Sequence, residues 1–256
     1  MKKTILVLLS ILLFLTLNNV AFSQRLINAI SDKQISIDSS FKGGKLSFFG
    51  NIEPEIGASD KIIDGSYNII VVISGPALNR VARKKNKQWG IWINTQKQSF
   101  GKFPSFYWVL SNAKLVDIVS EKTLKENYLL PKYQPSRSLN QQADISTKFG
   151  DELVRLMEDD GMFGTSENAI KFHSNSFYSG RLSFPDNVPV GNYLSETYLF
   201  KNGEILFKRS EAFSVRKTGF ERFLGNFAKQ SPFLYGVFAV ILALFTGWLG
   251  GVAFRR

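Results

Sequence analysis

Apolar residues follow three patterns along this chain, and each predicts a different kind of element. Short runs and alternations fill residues 25–112. In KQISIDSSF, Ile35 and Ile37 alternate with polar neighbours, and GGKLSFFGNI follows after a glycine turn. YNIIVVISGP is a continuous apolar run of strand length ended by Gly-Pro, the pattern of a buried sandwich strand. NRVARKK and WGIWIN predict two strands around a charged tip. In the second, Trp89, Ile91 and Ile93 share one face, and Gly90, Trp92 and Asn94 the other. PSFYWVLSN closes the series. Spacing of about eight to twelve residues between runs predicts a mainly β fold, an immunoglobulin-like β-sandwich.

The period then changes. KLVDIVSEKTLKENYLL predicts short helical pieces capped at Ser120 or Thr123, and PKYQPSRSLNQQ reads as a polar, proline-bearing linker. In DISTKFGDELVRLMEDDG, Ile145, Phe149, Leu153, Leu156 and Met157 recur at helical spacing, with Gly161 as the stop. Strands return afterwards. AIKFHSNSFYSGRLSFP carries two, and VPVGNYLSETYLFKNGEILFKRSEAFSVRK reads as a long hairpin turning at Asn202-Gly203. Residues 24–218 are therefore expected to form one β-rich domain with a helical insertion at about 114–162. Two small domains are the alternative, but the later strand group alone would make a thin sheet.

The third pattern is uninterrupted hydrophobicity, and it marks both ends. Lys2 and Lys3 precede an apolar run from Ile5 to Leu17, and Ala21-Phe22-Ser23 supplies small residues at a cleavage site. That is the grammar of a signal peptide over residues 1–23, with an uncleaved anchor as the alternative. From Gln230 to Phe254 there is no charge. Ser231-Pro232 is a good helix start, and a helix over 232–254 is long enough to cross a bilayer, leaving Arg255 and Arg256 as a tail. A buried helix of a soluble protein would look similar, but the placement at the end of an exported chain favours a span. Between domain and span, Phe220, Phe223, Leu224 and Phe227 form one stripe of a helix at 219–230. The stripe suits the lipid headgroup region or the underside of the domain.

Charge and composition narrow the chemistry. The chain has 32 basic and 21 acidic residues and no cysteine. Disulfides and thiol catalysis are excluded, and 23 phenylalanines demand a packed core. Arg83, Lys84, Lys85 and Lys87 beside two indoles resemble a nucleic-acid surface, but an exported domain seldom meets DNA or RNA. A solvated hairpin tip, an acidic partner or anionic lipid are the remaining readings. His173 is the single histidine and lacks a nucleophile elbow. Glu158, Asp159 and Asp160 lack the ligand spacing of a calcium loop. No phosphate-binding or dinucleotide fingerprint is present, so no catalytic residue, metal site or cofactor is expected. The span offers a sharper hint. Gly236, Ala239, Ala243, Gly247 and Gly250 lie within about 80° of one another on a helix, and Gly247 to Gly251 is Gly-x-x-x-Gly, which favours a helix partner.

The segments GIWIN, PSFYWVLS, VPVGNY and YLFKNG, and above all GFERFLGNFAKQSPFLYGVFAVILALFTGWLGGVAFRR, resemble the alphaproteobacterial family titled "putative transmembrane protein". The resemblance covers the whole exported part and the span. It implies a signal-bearing, single-span protein of the inner membrane, its bulk periplasmic and its C-terminus cytoplasmic. It brings no catalytic residues. It also implies association with sulfite-exporter-type transporters, hence a binding or accessory subunit of a membrane assembly; a lipid-contacting structural domain of the envelope and an envelope enzyme are the alternatives. The lysine-rich RKKNKQ departs from the arginine-rich versions the family implies.

Overall fold

The computed structural model describes residues 25–37, 41–53, 67–139 and 146–253. The expected signal peptide and the two-residue tail lie outside them. Twelve strands are described: β1 (Arg25–Ile30), β2 (Gln34–Ile37), β3 (Gly44–Glu53), β4 (Asn68–Ser74), β5 (Ala77–Gln88), β6 (Ile91–Pro104), β7 (Tyr107–Ser111), β8 (Phe163–Ser166), β9 (Ile170–Phe172), β10 (Phe177–Phe184), β11 (Gly191–Lys201) and β12 (Glu204–Lys217). The helices are α1 (Leu115–Ile118), α2 (Glu121–Glu126), α3 (Gln134–Ser138), α4 (Ser146–Asp159), α5 (Phe220–Gln230) and α6 (Pro232–Ala253). The chain is mainly β, as its alternating patterns predict.

Two sheets build the body. One has the order β1-β3-β10-β9, and the other β2-β12-β11-β4-β7-β8; β5 and β6 form a separate two-stranded ribbon. Most pairs are antiparallel, but β2 runs parallel to β12 and β8 parallel to β7. The sheets meet through rings: Phe184 of β10 lies 5.9 Å from Tyr193 of β11, 6.1 Å from Phe213 of β12 and 5.0 Å from Phe106. On the other side of the larger sheet stand the short helices. The Tyr107 hydroxyl of β7 and the Gln134 amide of α3 both donate to the Tyr128 carbonyl, at 2.8 and 2.7 Å. Covered on both sides, β4 buries Ile69, Ile70, Val71, Val72 and Ile73 completely, which explains its unbroken apolar run. Buried residues of both sheets and of the helices belong to one hydrophobic cluster.

Local chemistry sets the ends of the elements. Ser120 caps α2 by accepting from the Thr123 amide at 3.3 Å. Gly161, at φ +68°, ends α4 after donating to the Glu158 carbonyl. Asn202 and Gly203, at φ +53° and +84°, turn β11 into β12. The Tyr193 hydroxyl donates to the Pro189 carbonyl at 2.6 Å, tying the entry of β11 to the chain four residues earlier.

Two expectations change. PKYQPSRSLNQQ is not a linker through residue 138: Pro131–Tyr133 is a 3-10 turn that leads into α3, with Pro131, Tyr133, Gln134, Pro135 and Ser138 buried. Its prolines sit at helix starts, where a missing N–H costs little. Pro135 packs so closely on α4 that a Cβ at Gly150 would come within 2.7 Å of it. The segment's last residues, 140–142, lie outside the described residues. The second change concerns WGIWIN. Trp89 sits in the turn, not on a strand face, and Ile91 and Trp92 are 65 % and 68 % exposed. Strand β8 has no counterpart among the expected elements.

Glycines opposite aromatics generate a stability prediction. Gly180 pairs with Phe48, and Gly50 with Tyr178, each ring lying over the bare backbone across the strand. A Cβ at Gly180 would overlap the Phe48 ring. Gly180→Val should destabilise the domain by about 1–3 kcal/mol through overpacking, read as a lower denaturant midpoint. An unchanged midpoint would mean that Phe48 has another place to go. Burial, the first cause in each case, pushes the phenols of Tyr107, Tyr178 and Tyr193 above their ordinary range. The folded chain therefore keeps protons that the unfolded chain releases above pH of about 10. Stability is unaffected below that pH and falls as pH rises through it. Melts between about pH 8 and 11 should show this loss, with a shallower slope in Tyr193→Phe. A flat profile would show these phenols to be reached by water.

Candidate functional site

Strand registers gather several unusual features at one end of the larger sheet. Ser74, the last residue of β4, pairs with Tyr107 of β7 and with Leu194 of β11, while Gly191 pairs with Val215 of β12. Gly75-Pro76, where the β5–β6 ribbon begins, and Ser105-Phe106, where it ends, therefore lie beside the exit of β12 into α5. Backbone bonds close the ribbon's base, Ser105 N–H to the Pro76 carbonyl at 3.0 Å and Gly75 N–H to the Phe106 carbonyl at 2.8 Å. Pro76 also lies against Gly191, where a Cβ would meet it at 2.7 Å. The Asn202-Gly203 turn is at the opposite end. A cleft of about 530 Å³ separates the sheet end from α5, lined by Val190, Asn192, Arg216, Lys217, Asn226 and Lys229 among others.

The ribbon is anchored at its base and bare at its tip. Phe100 and Phe103 are fully buried, Phe103 stacking on Phe163 at 5.4 Å. Beyond them the strands pair from Arg80↔Phe100 to Gln88↔Ile91, and Arg83, Lys84, Lys85 and Lys87 are exposed. Residues 77–104 also carry Arg80, Lys97 and Lys102, and contain no aspartate or glutamate. At the turn Trp89 and Gly90 have φ of +52° and +85°, the two positive values that a tight hairpin turn with the strands' own twist requires. Asn or Gly suits the first position. A bulky side chain there is strained by about 1–3 kcal/mol, and Trp89 is 100 % exposed, so no packing within the described residues offsets that cost.

The juxtamembrane helix divides its aromatic stripe. Phe223 is 62 % exposed and stacks on Phe227 at 6.0 Å. Phe227 turns instead onto the next helix, 5.9 Å from Tyr235 and 6.3 Å from Phe238 of α6. Leu224 is half-buried; the side chain of Phe220 lies outside the described residues. Ser231 joins the two helices, its N–H bonding the Phe227 carbonyl at 3.0 Å and its carbonyl accepting from Tyr235 at 2.9 Å.

Helix α6 has 22 residues, and none is buried against the rest of the described chain. At about 1.5 Å per residue it measures about 33 Å, enough for a hydrocarbon core of about 30 Å. Ala239 and Ala243 are exposed, and a Cβ at Gly236, Gly247, Gly250 or Gly251 would meet nothing within 4 Å. The Thr246 hydroxyl donates back to the Leu242 carbonyl at 2.9 Å, so this hydroxyl is satisfied within the helix.

The other polar candidates lie apart from this end. His173 has its Nε2 2.7 Å from the Ser179 hydroxyl and its ring 5.5 Å from Phe177. At the end of α4, Asp159 pairs with Arg155 at 2.7 Å, and Arg155 also grips Glu152. These ion pairs account for part of the acidic run as ordinary helix-surface pairing. Among the described residues no group of three His, Cys, Asp or Glu side chains could hold a metal ion.

Comparison with known families fits the apolar helix. The family model described as "Putative transmembrane protein (Alph_Pro_TM)" matches residues 25–256. The chain belongs to this family. The match takes in both sheets, the exposed ribbon, α5 and the apolar helix α6. No curated protein matches the sequence.

Proposed function

We propose that this family member is a non-catalytic accessory or binding subunit of an inner-membrane assembly. Its β-rich domain stands on the periplasmic face, and α6 carries it in the membrane with the C-terminus in the cytoplasm. The observation that carries this reading is α6 itself, long enough to span, bare on its Gly/Ala stripe, and joined to the domain through Phe227. Small residues let a second helix approach closely, where dispersion and weak hydrogen bonds replace the missing hydrophobic drive. The leader reading of residues 1–23 supports export, and the family match begins just past it, at residue 25. A sulfite-exporter-type transporter is the partner class that the family resemblance suggests. Tethering confines the domain to a thin layer and raises its effective concentration at such a partner. His173, bonded to a serine hydroxyl and packed on a ring, fits a structural role better than a catalytic one.

We further infer an immunoglobulin-type domain. The orders β1-β3-β10-β9 and β12-β11-β4-β7 correspond to the A-B-E-D and G-F-C-C′ sheets of that fold. The Tyr193 bond to Pro189 supports the same reading, since such domains place a tyrosine at the start of strand F that bonds back to the chain just upstream.

Crosslinking in intact cells, followed by mild detergent extraction through α6, tests the subunit reading. A stoichiometric membrane protein should be recovered, and Gly247→Leu with Gly250→Leu should cut its yield roughly tenfold, the equivalent of losing a contact of about 1–2 kcal/mol. Unchanged recovery with the double variant would refute helix packing as the means of assembly.

A further inference from the structure

We propose that the β5–β6 ribbon is a second membrane contact: its basic shaft lies on the anionic headgroups of the bilayer that α6 crosses, and Trp89, Ile91 and Trp92 enter the interface. Four observations converge on this occupant. The ribbon's base is at the same end of the larger sheet as the exit to α5 and α6. Beyond the last buried residue, Phe100, about ten residues separate the sheet from the turn. At about 3.4 Å per residue they reach roughly 30 Å, far enough to meet a surface that starts at that end. The shaft carries Arg83, Lys84, Lys85 and Lys87 with no acidic residue in 77–104, a charge complementary to phosphatidylglycerol-type headgroups. The tip is apolar and aromatic, and its indole is held at a strained backbone position with no packing within the described residues to offset the strain. Indoles settle at bilayer interfaces because one edge is polar and the body apolar.

A protein partner with an acidic groove would need matching pockets for this tip. A lipid surface needs only charge and depth, and the membrane is already brought to this end of the domain by α6. The inference rests on α6 spanning the bilayer, and not on the identity of any partner.

The chain has no cysteine, so single reporters can be placed cleanly. Full-length Ile91→Cys, Glu204→Cys and Leu244→Cys would each carry an environment-sensitive fluorophore in proteoliposomes containing brominated lipid. Leu244 lies mid-span and must be quenched in every vesicle; failure there would refute the anchor and with it the premise of the ribbon contact. Glu204, at the far turn, should stay unquenched. With phosphatidylglycerol present, the Ile91 reporter should shift to the blue and lose roughly half its emission, as for a group seated about 5–10 Å into the boundary. The loss should disappear in pure phosphatidylcholine, in high salt, and in the combined variant Arg83→Glu, Lys84→Glu, Lys85→Glu and Lys87→Glu. An Ile91 reporter that stays unquenched in anionic vesicles would overturn the proposal, leaving the ribbon to a protein partner. Quenching indifferent to charge would overturn the role of the basic shaft.

Discussion

Burial of β4 on both faces is the constraint on which the rest of the domain depends. A strand with five consecutive apolar residues cannot lie at a surface. It needs a neighbour on each edge and a layer on each side. The edges are met by β7 and β11. One face is met by the smaller sheet through Phe184, Tyr193 and Phe213; the other by the short helices through Tyr107, Tyr128 and Gln134. Each fully buried aliphatic side chain contributes about 1.5–3 kcal/mol, so this one strand supplies energy comparable to the net stability of an ordinary domain. The helical segment between β7 and β8 is thereby a structural layer and not an appendage.

Much of this was legible in the residues, and the failures have physical causes. Period-two alternation and the unbroken run of β4 marked strands because a sheet has only two faces. Asn202-Gly203 marked its turn because both residues tolerate positive φ. The segment 131–138 misled because its polar letters hide local bonding: Gln134 is buried to cap the Tyr128 and Leu130 carbonyls, and prolines begin short helices as readily as they mark linkers. Strand β8 was missed because Phe163–Ser166 is too short for a period, and pairs in parallel with a strand distant in sequence.

The ribbon shows the opposite kind of failure. Its letters predicted two strands correctly but misassigned Trp89, since WGIWIN alternates convincingly if the turn is placed two residues earlier. The register settles the matter: Gln88 pairs with Ile91, leaving Trp89 and Gly90 as the only connection. The same register places Trp92 opposite Lys87 on the exposed outer half of the ribbon.

The geometry of the anchored end links these points. A domain hung from one helix through a single residue, Ser231, would pivot about that joint. Phe227 limits the pivot by packing across it onto Tyr235 and Phe238, so α5 and α6 move together at this joint. Such packing fixes the helix pair but not the sheet, which follows through Thr218-Gly219, a short connector whose Thr218 N–H bonds the Ile37 carbonyl at 2.8 Å and whose glycine has φ +76°. A contact from the ribbon, roughly 30 Å beyond its buried base, would act on the sheet itself with a long lever arm. If the proposed ribbon contact forms, it would govern the orientation of the sheet more than the anchor helix does.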